Sequence, residues 1–203
     1  MKKVIGFLAV FAILALLIGT ALAEDIPIDA AHFPDDNFRA YVMENCDPNK
    51  DGILSEEEQY GVTSIGVTGM NITSIEGIAY FPALQTLYCD NNQLTSLDVS
   101  ANTALQWLYC FGNQLTSLDV SANTDLQTLD CDGNERTVTA ENGQFDLSIL
   151  PGFDVTKAGN WKGGTVSGTV LTVPASGDVT YTYDCGKGYE QIFTLKIIVF
   201  FQQ

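Results

Sequence analysis

The chain has 203 residues, with 25 Asp and Glu against 9 Lys and Arg, a formal net charge of −16. That balance excludes nucleic-acid binding as a working function, because the counterion release that drives it needs a basic face. The acidity instead suits the solubility of an extracellular protein.

Residues 1–23 carry Lys2 and Lys3, an apolar run from Val4 to about Ile18, and Ala21-Leu22-Ala23. This is the layout of a secretory signal peptide, with cleavage expected before Glu24. The apolar run is shorter than the roughly 20 residues that span a bilayer, so an uncleaved anchor is the weaker reading. Removal of the 23 residues leaves 180 of 203, and loss of both lysines takes the charge to −18. No hydrophobic segment or sorting signal is read at Phe200-Phe201-Gln202-Gln203, so a secreted product without a stable membrane anchor is expected.

Residues 24–61 read as a helical cap. From Asp36, the positions Phe38, Tyr41, Val42 and Cys46 share one helical face, and Asp35 or Asp36 can cap its start. The next twelve residues, Asp47 to Glu58, match an EF-hand loop position by position. Asp47, Asn49 and Asp51 supply oxygens at positions 1, 3 and 5, and Gly52 permits the turn at 6. Ile53 offers its carbonyl at 7, Ser55 stands at 9, and Glu58 can bind bidentately at 12. Hard oxygen donors in that spacing point to calcium (Ca2+) held as a structural staple. An acidic turn that binds nothing is the alternative. The exit helix is short and no second hand is available for pairing, which argues against a regulatory sensor.

Residues 62–137 repeat. Leu84 to Ala104 and Leu105 to Asp125 are nearly identical, a third copy starts at Leu126, and a divergent one precedes them at Val62. The register L-x-x-L-x-[LC]-x-x-N-x-L is the leucine-rich repeat pattern. Each unit opens with a short strand in which Leu87 and Cys89, or Leu108 and Cys110, point inward. Asn92, Asn113 and Asn134 are expected to stack where an amide can satisfy backbone groups at the turn. Met70 replaces asparagine in the first unit, and Arg136 replaces leucine in the last. Cys89, Cys110 and Cys131, 21 residues apart, are read as buried thiols, with a bridge between adjacent rungs or a metal site as alternatives. Cys46 and Cys185 remain, and the odd count leaves at least one thiol unpaired.

Outward positions of the same strands carry Thr86, Tyr88 and Asp90, then Trp107, Tyr109 and Phe111, then Thr128, Asp130 and Asp132. The four aromatics become neighbours on the concave face, where they would serve as anchors for a partner. Asp90, Asp130 and Asp132 form an acidic rim that favours a basic partner surface. In the alternative reading the rings only cover cross-strand neighbours or pack on the following module.

Residues 138–203 alternate over short runs, namely 145–147, 165–167, 170–173, 179–183 and 192–200, separated by Gly, Pro, Asn and Asp. They read as a small β-sandwich packed on the last repeat, with Trp161 in its core. Catalysis finds no support in the sequence. His32 is the only histidine and reads as a surface residue, and no nucleophile elbow, Cys-His pairing or zinc motif is present. Asp130 and Asp132 could in principle act on a glycan, but two outward residues on a flat strand lack an enclosing pocket.

The segment Phe33-Pro34-Asp35-Asp36-Asn37-Phe38-Arg39, the calcium loop and the repeats together resemble secreted bacterial leucine-rich repeat proteins with an internalin-like layout. The run FDLSILPGFDVTKAGNW (residues 145–161) resembles the immunoglobulin-like modules that follow such repeats. The resemblance implies an α+β/solenoid fold: a helical EF-hand-like cap, four short repeats and an immunoglobulin-like β-sandwich. It also implies a non-enzymatic binding protein. A protein ligand is the first reading; a glycan stacked on the same aromatics is the second.

Overall fold

The computed structural model describes residues 24–201, so the expected signal peptide lies outside the described residues. Helix α1 (Asp36–Asn45) starts at Asp35, whose side chain accepts from the backbone N–H of Asn37 and of Phe38, both at 3.0 Å. The second oxygen of the same carboxylate accepts the Thr73 N–H and hydroxyl, both at 2.8 Å. One side chain therefore caps the helix and ties it to the first repeat. Burial pushes the Asp35 carboxyl up, but the bonds from Thr73 and Phe38 outweigh it and hold the group below its ordinary value. Phe38 and Val42 are fully buried, Cys46 nearly so and Tyr41 partly, as the helical spacing predicts. Phe33 packs edge-on against Phe38 and Tyr80. Gly77 must be glycine beneath it: φ is +100°, and a Cβ would lie 2.5 Å from the Phe33 ring.

The cap loop is closed by pairing that the sequence reading lacked. Strand β1 (Ile26–Pro27) runs antiparallel to β2 (Ile53–Leu54), and the Ile28 N–H donates to the Gly52 carbonyl at 2.9 Å. Helix α2 (Glu56–Gly61) then starts with a capping box between Ser55 and Glu58, and three glutamates in its first turn oppose the positive end of the helix dipole.

The repeats supply β3 (Ser64–Gly66), β4 (Thr86–Tyr88), β5 (Trp107–Tyr109) and β6 (Thr128–Asp130), hydrogen-bonded in that order as one parallel sheet. Ser64 pairs with Thr86, Thr86 with Trp107, and Trp107 with Thr128. That register sends Ile65, Leu87, Leu108 and the three repeat cysteines inward, all fully buried. Each such leucine contributes about 1.5–3 kcal/mol by leaving water. The asparagines hold the rungs together. Asn113 Nδ2 donates to the carbonyls of Cys89 (3.0 Å) and Cys110 (3.1 Å), while its Oδ1 accepts the Leu94 N–H at 3.0 Å. Asn92 and Asn134 repeat the arrangement one rung either side. In a second ladder, Asn102 Nδ2 donates to the Ile78 and Phe81 carbonyls and Asn123 Nδ2 to those of Val99 and Asn102.

The last repeat leads directly into β7 (Glu135–Glu141), followed by β8 (Gln144–Asp146), β9 (Ala158–Lys162), β10 (Thr165–Ser167), β11 (Val170–Thr172), β12 (Gly177–Gly186) and β13 (Tyr189–Phe200). Where two packed sheets were expected, these strands form one continuous seven-stranded sheet, in the order β10-β11-β8-β7-β13-β12-β9. The parallel ladder from Glu135↔Thr194 to Glu141↔Phe200 joins what would otherwise be two sheets. The sheet docks on the repeats through several polar contacts. Tyr181 Oη donates to the Thr116 carbonyl at 2.6 Å, Ser117 Oγ to that of Pro151 at 3.1 Å, and the Val120 N–H to that of Cys185 at 2.9 Å. Among the described residues no helix is long and apolar enough to cross a membrane.

Candidate functional site

The parallel register arranges the outward side chains of the repeat sheet in columns. One column reads Ser64, Thr86, Trp107, Thr128; the next reads Gly66, Tyr88, Tyr109, Asp130. A third, Thr68, Asp90, Phe111, Asp132, follows from the ladder bonds Asn91 N–H to Phe111 O and Gly112 N–H to Asp132 O, both 2.9 Å. The expected aromatics are thus brought together. Tyr88 and Tyr109 stack face to face, with centroids 4.9 Å apart and planes 9° apart, at the natural spacing of adjacent strands, about 4.8 Å. Trp107 stands between two threonines. Trp107, Tyr109 and Phe111 are half-buried, and Tyr88 is 41% exposed.

The acidic residues separate into two kinds. Asp90 is only 5% exposed; its Oδ1 accepts the Thr68 hydroxyl at 2.9 Å and its Oδ2 the Asn91 side-chain N–H at 3.0 Å. It belongs to the wall of the face rather than to a free rim. Asp130 is half-buried and Asp132 exposed. None of the three columns contains a lysine or arginine.

In the cap loop, Asp47 is 1% exposed and accepts N–H bonds from Lys50 (2.7 Å), Asp51 (3.3 Å) and Gly52 (2.9 Å). Asn49 Oδ1 accepts the Asp51 N–H and Asp51 Oδ1 the Ile53 N–H. The side chains at positions 1, 3 and 5 therefore fold the loop around its own amides, and Gly52, at φ +80°, makes the sharp turn. Glu58 is turned toward Ser55, with Oε2 accepting its N–H at 2.9 Å and its hydroxyl at 2.8 Å. Among the described residues no three His, Cys, Asp or Glu side chains converge as a bound ion would gather them.

All five cysteines are buried and unbridged. Burial pushes the thiols of Cys46 and Cys185 up to about 12 and that of Cys89 higher still. The hydrogen bond with Cys131, then burial, holds Cys110 far above its ordinary value. Cys185, from the C-terminal sheet, lies near Cys110 and Cys131, so it lengthens the line of thiols. Such groups are apolar filling rather than nucleophiles. His32 is half-buried, bonded to Asp29 at 2.8 Å and tilted over Tyr80. Trp161 stacks on the buried Tyr181 at 4.5 Å. Sequence reasoning missed the second asparagine ladder, although Asn102 and Asn123 recur at the repeat spacing and carried a signal.

No protein-family model matches the chain. Internalin J of Listeria monocytogenes serotype 4b (strain F2365) is 39% identical over 71 residues, which make up 35% of this chain and 8% of internalin J. That similarity covers about a third of this chain. Among solved structures, internalin C2 of L. monocytogenes 4b F2365 superposes with a TM-score of 0.51 at 24% identity, covering 59% of this chain and 54% of that one; this is a likeness of fold. The functional domain of internalin J, described as including a cysteine ladder, gives a TM-score of 0.35 at 27% identity, over 56% of this chain and 34% of that one. This chain therefore corresponds to a small part of internalin J and about half of internalin C2.

Proposed function

We propose that this chain is an exported, non-enzymatic recognition protein that binds a protein partner on the concave face of its repeats, with a calcium ion stapling the cap. The observation that carries the reading is the cluster of Tyr88, Trp107, Tyr109 and Phe111 on that face, all outside the core yet adjacent. Rings of this kind, combining large contact area with a polar handle, dominate protein interfaces. A sugar stacking across both tyrosines would find their inner faces occupied by one another. That favours the protein ligand over the glycan. Asp130 and Asp132, with no cation among the columns, favour a basic partner surface.

The cap loop has the chemistry of a calcium site. The side-chain oxygens of Asp47, Asn49, Asp51, Ser55 and Glu58, with the Ile53 carbonyl, would hold the ion, Glu58 exchanging its Ser55 contacts for it. Its contribution would be structural, joining the end of α1 to the start of α2.

The decisive experiment screens the exported chain on a protein array and a glycan array, with Trp107→Ala and Leu108→Ala run alongside. Trp107→Ala should abolish capture of a protein ligand while shifting stability by no more than about 0.5 kcal/mol, whereas Leu108→Ala should cost about 2–5 kcal/mol. A Trp107→Ala melt that falls as far as that of Leu108→Ala would show the ring to be core and overturn the assignment.

A further inference from the structure

We propose that the slot above Gly66, against the outer face of Tyr88, receives one arginine side chain of the partner. The proposal rests on the reading of the concave face as a protein-binding surface and names the chemistry of its first contact.

The column Gly66, Tyr88, Tyr109, Asp130 is a stack with a missing member. Tyr109 gives one face to Tyr88 and looks toward Asp130 on the other side. Tyr88 gives one face to Tyr109, and its other face looks over Gly66, which has no side chain. A Cβ at Gly66 would meet nothing within 4 Å, and its backbone lies outside the left-handed region, so a turn does not explain the glycine. The exposure agrees: Tyr88, at the open end of the stack, is the exposed large ring of the face. Successive strands lie about 4.8 Å apart, so the slot admits one planar layer at stacking distance. On its far side stands α1, where the Tyr41 hydroxyl accepts the Gly66 N–H at 3.1 Å. This bond occupies the edge of β3, and the opening left is for a side chain rather than for an added strand.

Several planar groups could stack there, and the surroundings choose among them. Asp90 lies two residues beyond Tyr88, past the end of β4, and is anchored to Thr68, two residues beyond Gly66. A carboxylate thus flanks the slot as part of its wall, 5% exposed and held by Thr68 and Asn91. Guanidinium is the side-chain group that is planar, stacks on aromatic faces and pairs with carboxylate at once. Lysine supplies the charge without the plane, an aromatic the plane without the charge, and neither uses both walls.

The test is a titration of isotope-labelled protein with the blocked peptides Gly-Gly-Arg-Gly-Gly, its Lys and Phe counterparts, and methyl glucoside. The arginine peptide should shift the Gly66 amide and Tyr88 ring resonances saturably, and bind several-fold more tightly than the lysine peptide, because the guanidinium adds planar stacking to the cation–π attraction that both share. Gly66→Tyr should extend the stack to three rings, fold with an unchanged or higher melting temperature and lose the arginine response. Should Gly66→Tyr not fold, Gly66→Thr and Asp90→Asn serve the same purpose, each weakening the arginine peptide relative to the native chain. Equal binding of arginine and lysine, a response to the sugar or phenylalanine alone, or full arginine binding by the filled-slot variant overturns the proposal. The two readings separate on an identified protein ligand. If Trp107→Ala loses it and Gly66→Tyr keeps it, the slot is wrong and the binding face stands; if both variants keep it, both fail.

Discussion

Replacing Asn113 by alanine is expected to be the most damaging polar change in the repeats. The side chain is 4% exposed and makes three bonds of 3.0–3.1 Å: to the carbonyls of Cys89 and Cys110 and from the Leu94 N–H. It joins two neighbouring rungs and the turn between them. A net hydrogen bond contributes about 1 kcal/mol, and a buried group left without its partner costs about 1–3 kcal/mol. Alanine removes one acceptor and two donor bonds together, so the loss should be about 3–5 kcal/mol, against a total stability for a domain of about 5–15 kcal/mol. Urea unfolding measures it, provided the m-value is unchanged. The exposed Gln93→Ala, one residue from the Asn92 rung, should stay within about 0.5 kcal/mol. Asn113→Asp keeps an acceptor for Leu94 but faces two carbonyls with a carboxylate, and should cost at least as much as alanine. A loss below about 1 kcal/mol for Asn113→Ala at constant m would refute the claim that the ladder holds the rungs together.

Three further outcomes are expected. Because burial raises the thiols, all five cysteines should resist alkylation at pH 8 in the native chain and react in urea; rapid labelling of Cys185 in the native state would contradict its place in the core. The Asp119 carboxyl is held at about 2, first by the hydrogen bond from Lys157 at 2.7 Å and then by Ser121. Its folded value lies below an unfolded value of about 3.9, so its stabilisation is complete above that value and fades as pH falls toward 2. Asp119 is largely exposed, so Asp119→Asn should cost less than about 1 kcal/mol at pH 7 and the difference should vanish near pH 2; an undiminished difference there rejects the assignment. Saturating calcium, at about 100 times its dissociation constant, should add about 2.7 kcal/mol, removed by chelator and absent in Glu58→Ala; identical melts with calcium and chelator would exclude the staple.

The readable parts of this chain were those whose structure is local or periodic. Leu87, Leu108 and the repeat cysteines declare their direction because a strand alternates, and the 21-residue spacing fixes which rung each occupies. A helix cap at Asp35 or Asp36 is legible for the same reason, and the structure uses Asp35, which accepts from Asn37 and Phe38 within three residues. What escaped depends on distant partners. Strand β7 looked like the tail of a repeat, and only its pairing with β13, some sixty residues later, extends it. Strand β9, Ala-Gly-Asn-Trp-Lys, carries two turn-forming residues and holds to β12 through an irregular register. Alternation placed Asp90 on the outward face, yet only the fold brings Thr68 across to bond it.

The C-terminal sheet ends the repeats by continuing their chemistry. Within the stack, each new rung donates an asparagine amide to carbonyls of the rung before, as Asn123 does to Val99 and Asn102. No third asparagine follows in this ladder. Lys187 takes its place, with Nζ donating to the carbonyls of Asn123 at 2.8 Å and Thr124 at 2.6 Å. Cys185, two residues earlier, extends the line of buried thiols beyond Cys131, and its carbonyl accepts the Val120 N–H. The turn between β12 and β13 therefore acts as a further rung made from a different fold, satisfying backbone groups that an open end would leave buried without partners. None of these contacts involves a residue of the aromatic columns. The end is sealed while Tyr88 stays exposed and Trp107 half-buried, which is what the proposed binding face requires.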